Sequence, residues 1–213
     1  MIYLSGCTAP SYEQAIINMG VGLLIQPKTY APKRVLPFGT WAADNGCYPP
    51  ENPWSCAKWA RMLGAIEDAQ LSWPLFCLVP DRPFDHEGTL RRWERYAPVV
   101  VAFGYPTAFA IQDGATVETV PWDQLDVAFL AGTTGWKCGE PAYEMALEAR
   151  NRDKWVHMGR VNSWERLDWA SRIGCDSADG TFMKHGKPED MVARLRVWLD
   201  SNSPRLTQKA AGI

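Results

Sequence analysis

The sequence predicts a single compact (β/α)8 barrel of the TIM type. Eight short apolar runs recur along the chain, and amphipathic segments of helical period lie between most of them. Strand–helix alternation implies a parallel sheet, and eight such units closing on themselves make a barrel. A length of 213 residues suits one domain of this kind with a large core. The competing architecture is an open doubly wound sheet. No Gly-x-Gly-x-x-Gly follows the first run and no P-loop lysine motif occurs, which disfavours nucleotide cofactors.

In chain order the predicted strands are residues 2–4, 21–25, 40–43, 75–79, 108–111, 127–131, 155–158 and 175–178. Helical patterns cover 12–19, 54–69, 89–103, 143–152 and 164–173; in the last, Trp164, Leu167, Trp169, Ala170 and Ile173 recur at helical spacing. A final helix, 188–199, has Met191, Leu195 and Trp198 at core positions and Arg194 and Arg196 outward. It opens on Pro188, Glu189 and Asp190, and a proline and acids suit a first turn. Two connections, 27–39 and 115–126, read as loops. The barrel domain is expected over 1–200, and the polar tail 201–213, SNSPRLTQKAAGI, is expected to fray.

Composition bounds the function. Hydrophobic residues at 46% and charged residues at 22% are ordinary for a soluble globular domain. A net charge of −2 gives no global pull toward nucleic acid, so a polyanion would need a local basic patch. The 11 tryptophans are expected to pack in the core or line a cleft. Six scattered cysteines and three histidines, with no Cys-x-x-Cys, argue against a structural zinc and for reduced thiols. The start, Met-Ile-Tyr-Leu-Ser-Gly, has no signal-peptide pattern, and no run approaches a membrane span. Cytoplasmic residence is the expectation.

In a barrel the chemistry sits at the C-terminal strand ends. Here those ends read Ala43-Asp44-Asn45-Gly46, Val79-Pro80-Asp81, Ile111-Gln112-Asp113-Gly114, Ala131-Gly132-Thr133-Thr134, Met158-Gly159-Arg160 and Ser177-Ala178-Asp179-Gly180. Singly, Asp44 and Asp113 could be turn residues and Asp81 a helix cap. Together, Asp44, Asp81 and Asp179 would converge on one mouth, where desolvated carboxylates raise one another's proton affinity at a cost in stability. Such a set suits displacement at a sugar carbon or Mg²⁺-assisted phosphoryl chemistry. Gly132 and Gln112 favour the first, because a glycine strand end and a carboxamide make a flat slot for a planar heterocycle.

Taken together, WAADNGCY, FLAGTTGWK, WVHMGRVNS and GCDSADGTF resemble the tRNA-guanine transglycosylase superfamily. The match is closest to its short phage branch, the 7-deazapurine DNA-modification transglycosylases, and spans Trp41 to about Leu199. The resemblance implies an enzyme that expels guanine from a nucleic acid and joins a free 7-deazaguanine to the same sugar carbon. By that match Asp179 is the nucleophile and Asp44 the proton-handling residue. Asp81, Gln112, Gly132 and the adjoining Thr133 hold the base, with Met158 and Gly159 forming part of its pocket.

The chain lacks the Cys-x-Cys-x-x-Cys…His zinc site of the tRNA enzymes. It also reads Gly180-Thr181-Phe182-Met183 where they carry Leu-Pro-Thr-Arg, which favours DNA over tRNA. No cofactor or metal is expected. The target guanine must be flipped or presented single-stranded, so a partner that opens the duplex is a further expectation. Arg160, Lys184 and Lys187 are the expected phosphate contacts. Competing readings are a nucleoside or glycoside hydrolase, a queuine-type tRNA enzyme, and a catalytically silent nucleic-acid-binding subunit.

Overall fold

The computed structural model describes residues 1–51 and 53–201; the predicted tail lies outside them, apart from Ser201. Eight parallel strands close into a barrel in sequence order, β8 pairing back onto β1. They are β1 (Ile2–Ser5), β2 (Gly22–Ile25), β3 (Trp41–Ala43), β4 (Cys77–Leu78), β5 (Thr107–Ile111), β6 (Val127–Leu130), β7 (Trp155–Met158) and β8 (Ser177–Gly180). Among the described residues, eight helices lie around them: α1 (Glu13–Asn18), α2 (Pro32–Val35), α3 (Cys56–Asp68), α4 (His86–Ala102), α5 (Thr134–Lys137), α6 (Glu140–Asn151), α7 (Trp164–Arg172) and α8 (Pro188–Ser201). The predicted closed barrel is the observed fold. Of the two predicted loops, 27–39 holds the one-turn α2 and 115–126 a 3-10 turn at Trp122–Gln124.

Local chemistry sets the helix starts. Ser55, Asp85 and Ser163 accept a backbone N–H in the first turns of α3, α4 and α7, each satisfying a donor that the helix cannot. The Asp85 cap starts α4 three residues before the predicted boundary at Thr89, so Asp81 is no helix cap. Gly174, at φ +85°, turns the chain after α7, a left-handed conformation that glycine adopts without strain.

Side chains alternate across each strand. Leu4, Leu24, Ala42, Leu78, Ala108, Ala110, Val127 and Phe129 fill the barrel interior with Phe76. Their neighbours Trp41, Ile111, Leu130 and Met158 face the helix layer, where Leu63, Leu167 and Leu195 meet them. The same alternation aims His157 on β7 and Ser177 and Asp179 on β8 inward, since Val156, Met158 and Ala178 belong to the outer layer. Strand β8 runs two residues later than predicted. Asp179 therefore lies within the sheet, paired with Leu4 of β1, instead of just past a strand end.

Candidate active site

One cavity of about 330 Å³ opens at the C-terminal mouth, within the range usual for small-molecule sites. Asp44, Asp81 and Asp179 all line it, with Gln112, Asn45 and Arg160 as further polar wall. Leu24, Leu78, Phe129, Tyr48 and Phe84 supply apolar surface. Among the described residues, no three acidic, histidine or cysteine side chains come close enough to hold a metal ion.

Asp179 is braced from behind. His157, fully buried, places Nε2 3.0 Å from Asp179 Oδ1 and Nδ1 2.8 Å from Ser177 Oγ. Trp155 Nε1 donates to that same Ser177 oxygen at 2.7 Å. The carboxylate can only accept, so the ring donates to it through Nε2; Nδ1 is then the ring's acceptor and takes the Ser177 hydroxyl, whose oxygen accepts from the indole. This chain of donors fixes Oδ1 and leaves Oδ2 facing the Arg160 backbone N–H at 3.5 Å.

Asp44 is half-buried in the wall, where Gly46 N–H donates to Oδ1 at 3.0 Å. Its pKa is pushed up to about 7. Burial is the largest cause and the Asp179 and Asp81 charges add to it, against the pull of the Gly46 hydrogen bond. A carboxyl near neutrality can both give and take a proton.

Asp81 is held differently. Its Oδ1 accepts from Asn45 Nδ2 at 2.8 Å and its Oδ2 from Gln112 Nε2 at 2.5 Å. Burial raises its pKa, and the Asn45 amide opposes that rise. Gln112 is held in turn, its Oε1 accepting the Phe84 N–H at 3.0 Å. Asn45 also donates to Val79 O at 2.8 Å and accepts from Cys47 N–H at 2.8 Å. The result is a rigid carboxylate–amide wall with lone pairs left facing the cavity.

Other predicted residues serve otherwise. Arg160 lines the cavity, but its guanidinium bonds the carbonyls of Ala131 and Gly132 and stacks 4.7 Å from the Tyr48 ring centre and 5.4 Å from that of Phe84. It is a wall residue at φ +59°, held there by those bonds, and not a free phosphate contact. Thr133 caps α5, donates from its hydroxyl to Asp113 Oδ1 at 2.6 Å and gives its backbone N–H to Oδ2 at 2.6 Å. It braces the wall, and Thr134 faces the cavity instead.

Gly132 stands just behind the lining. A Cβ there would fall 2.6 Å from the Trp136 ring and 2.8 Å from Asp113 Oδ2. Met158 points into the helix layer, because strand alternation sends it away from the cavity that Gly159 lines. Lys184 and Lys187 are exposed past β8 and do not line the cavity.

No protein-family model and no curated protein sequence matches this chain. Solved structures do. The Amycolatopsis orientalis BexX/CysO complex matches with a TM-score of 0.61 at 15% identity, over 94% of this chain and 88% of that one. A dihydrodipicolinate synthase from Bacillus clausii gives 0.58 at 11%, over 95% and 75%. A 4-hydroxy-2-oxoglutarate aldolase from TTHB1 gives 0.58 at 13%, over 95% and 93%. The chain shares their barrel. At such identities the likeness extends to the fold and no further, because one barrel supports many unrelated chemistries.

Sequence reasoning missed His157, Ser177, Asn45 and Lys137. His157 was hidden in the apolar run WVHMG. Period-two alternation from Gly159 gives the signal, since it puts a polar ring inside the barrel beside Ser177 and Asp179. Lys137 gives none: it is fully buried, donates to the Gly159 carbonyl, and has its pKa pushed down to about 7, mainly by burial and then by the Arg160 charge.

Proposed function

We propose that this chain is a base-exchange glycosyltransferase that replaces guanine in DNA with a 7-deazaguanine. The observation that carries the reading is the division of labour in one cavity. A hydrogen-bonded carboxylate, Asp179, faces a carboxyl poised near neutrality, Asp44, beside the Asp81–Gln112–Asn45 wall. Two carboxyl groups in such different environments suit different roles.

In the proposed sequence Asp179 Oδ2 attacks C1′ while the glycosidic C–N bond breaks. The bonding pair leaves with the guanine nitrogen, which takes the proton of Asp44. A covalent aspartyl–sugar ester remains. The incoming deazaguanine loses its glycosidic proton to Asp44 and attacks C1′ from the vacated side, and Asp179 leaves as carboxylate. Two inversions retain the β configuration, as in a retaining glycosidase.

Asp81 and Gln112 would read the purine edge, with Tyr48, Phe84 and Phe129 against its faces. A guanine in a duplex has to be flipped or delivered single-stranded to reach this depth, with or without a partner protein. Lys184 and Lys187, on the rim past β8, are proposed to meet flanking phosphates. The roles follow the resemblance of the strand-end motifs to the phage-branch transglycosylases.

The test is incorporation. Purified protein, DNA and an isotopically labelled 7-deazaguanine are incubated, and the digested DNA is analysed by mass spectrometry. A labelled deoxynucleoside that disappears with Asp179→Ala supports the exchange. Release of guanine without incorporation would make the chain a hydrolase, and incorporation into tRNA alone would move the substrate.

A further inference from the structure

Beside the cavity mouth, outside the site just described, four arginines line a trough. Arg82 follows β4, and Arg91, Arg92 and Arg95 project from α4. Trp54, from the segment before α3, and Tyr96 share the same wall. In a chain of net charge −2 this is a local concentration of cation. The Arg82 and Arg91 side chains are 63% and 65% exposed. Their acidic neighbours stand at 3.2 Å, Asp85 to Arg82, and 4.0 Å, Glu87 to Arg91. Exposed pairs of this kind hold weakly, and a phosphate can displace the carboxylate.

The aromatics are set among the cations. Arg92 lies 5.2 Å from the Trp54 ring centre and Arg95 5.2 Å from that of Tyr96, and the two rings are 5.3 Å apart. Cations that track a backbone, interleaved with faces for bases, are what a single nucleic-acid strand requires. An acidic peptide would use the charges and leave the rings unaddressed.

The trough is also joined to the cavity. A second hollow lies between them: Pro83 lines it and the cavity, while Trp54, Arg82 and Arg92 line it and the trough. Arg92 donates to the Asp81 backbone carbonyl and, at 3.4 Å, to Cys47 Sγ. A strand lying in the trough would thus run to the mouth beside the proposed base-reading wall.

We infer that this trough binds the sugar–phosphate backbone of the DNA strand whose nucleotide enters the cavity, with Trp54 and Tyr96 facing a flanking base. The inference rests on the base-exchange reading for its choice of DNA. Arg82, Arg91 and Arg95 take phosphates, and Arg92 couples the trough to the cavity wall.

The experiment is a salt titration of a fluorescent single-stranded DNA by anisotropy, using wild type, R82A/R91A/R95A and the charge-keeping R82K/R91K/R95K. The alanine variant should bind at least about tenfold more weakly and flatten the log–log slope by about two to three; the lysine variant should keep the slope. Trp54→Ala should weaken binding by about 5- to 100-fold with the slope unchanged. Calorimetry with free 7-deazaguanine should show the cavity intact in the alanine variant.

A wild-type slope retained by R82A/R91A/R95A would overturn the trough and leave base exchange standing. Failure of the lysines to restore the slope would overturn the phosphate contacts. Tighter binding of the same sequence as RNA would overturn DNA as the occupant. DNA binding through the trough with no base incorporation would keep this inference and remove the exchange reaction.

Discussion

His157 Nε2 lies 3.0 Å from Asp179 Oδ1, and the far side of the same ring is held by Ser177, itself fixed by the Trp155 indole. The carboxylate proposed to attack sugar is therefore aimed by three inward-facing side chains on two adjacent strands. Rotating Asp179 would break this chain of donors, so the geometry is set before any substrate arrives.

Replacing His157 by leucine is predicted to lower kcat by about 10- to 100-fold, the scale of a misplaced reacting group, with KM for DNA little changed. His157→Gln, which can still donate to Asp179, should recover part of the loss. Steady-state kinetics of all three proteins decide the matter. A rise in KM at constant kcat would mean that the ring shapes the cavity and does not aim the carboxylate.

Asp44 should impose a pH limb. With its pKa near 7, the protonated form needed to expel guanine is lost as pH rises through about 7, so the single-turnover rate of ester formation should fall there. Stability follows the same group. Between about pH 4 and pH 7 the folded chain holds a proton that an unfolded aspartate has released, so stability declines across that window. Asp44→Asn should abolish the limb and be more stable than wild type at pH 8 by about 1–3 kcal/mol, with a smaller difference near pH 4. Parallel stability profiles for the two proteins in denaturant unfolding would contradict the burial argument.

Asp81 and Gln112 are predicted to govern affinity for the free base. Asp81→Asn replaces one acceptor oxygen by a donor that must face the Asn45 or Gln112 amide N–H, and Gln112→Ala leaves a buried carboxylate oxygen and the Phe84 N–H without these partners. Each should weaken 7-deazaguanine binding by about 1.5–3 kcal/mol, roughly 10- to 150-fold. Calorimetric titration reads this directly, and unaltered affinity in both variants would take the base out of this wall.

Gly180 should tolerate no side chain. A Cβ there would lie 2.3 Å from the Tyr3 hydroxyl and 2.4 Å from the Val161 carbonyl oxygen, and the second is backbone and cannot swing aside. Gly180→Ala is predicted to cost about 1–3 kcal/mol. Gly64→Ala, in the middle of α3 with nothing near its Cβ, should add up to about 1 kcal/mol. Thermal unfolding of the pair tests both, and equal shifts would contradict the packing at β8.

Much of this was legible in the sequence. Period-two and helical patterns predicted the barrel, and turn-like strand ends brought Asp44, Asp81, Gln112 and Asp179 to one mouth because parallel strands all end on the same side. Contacts formed across the barrel were not legible. Thr133 faces Asp113 through bonds fixed only when β5 and β6 are side by side. Arg160 followed a strand end like a free cation, but folding hands its guanidinium to two carbonyls past β6. Met158 was carried by its motif, and strand alternation turns it outward.

The central claim is a covalent bond between Asp179 and the sugar of DNA. Wild-type protein is incubated with a guanine-containing single-stranded oligonucleotide, quenched in denaturant, and its mass measured intact and after proteolysis. The account predicts a protein–DNA adduct that maps to Asp179, disappears on addition of free 7-deazaguanine, and is absent from Asp179→Asn. An adduct that persists in Asp179→Asn, or modified DNA formed with no adduct at any time point, would contradict it.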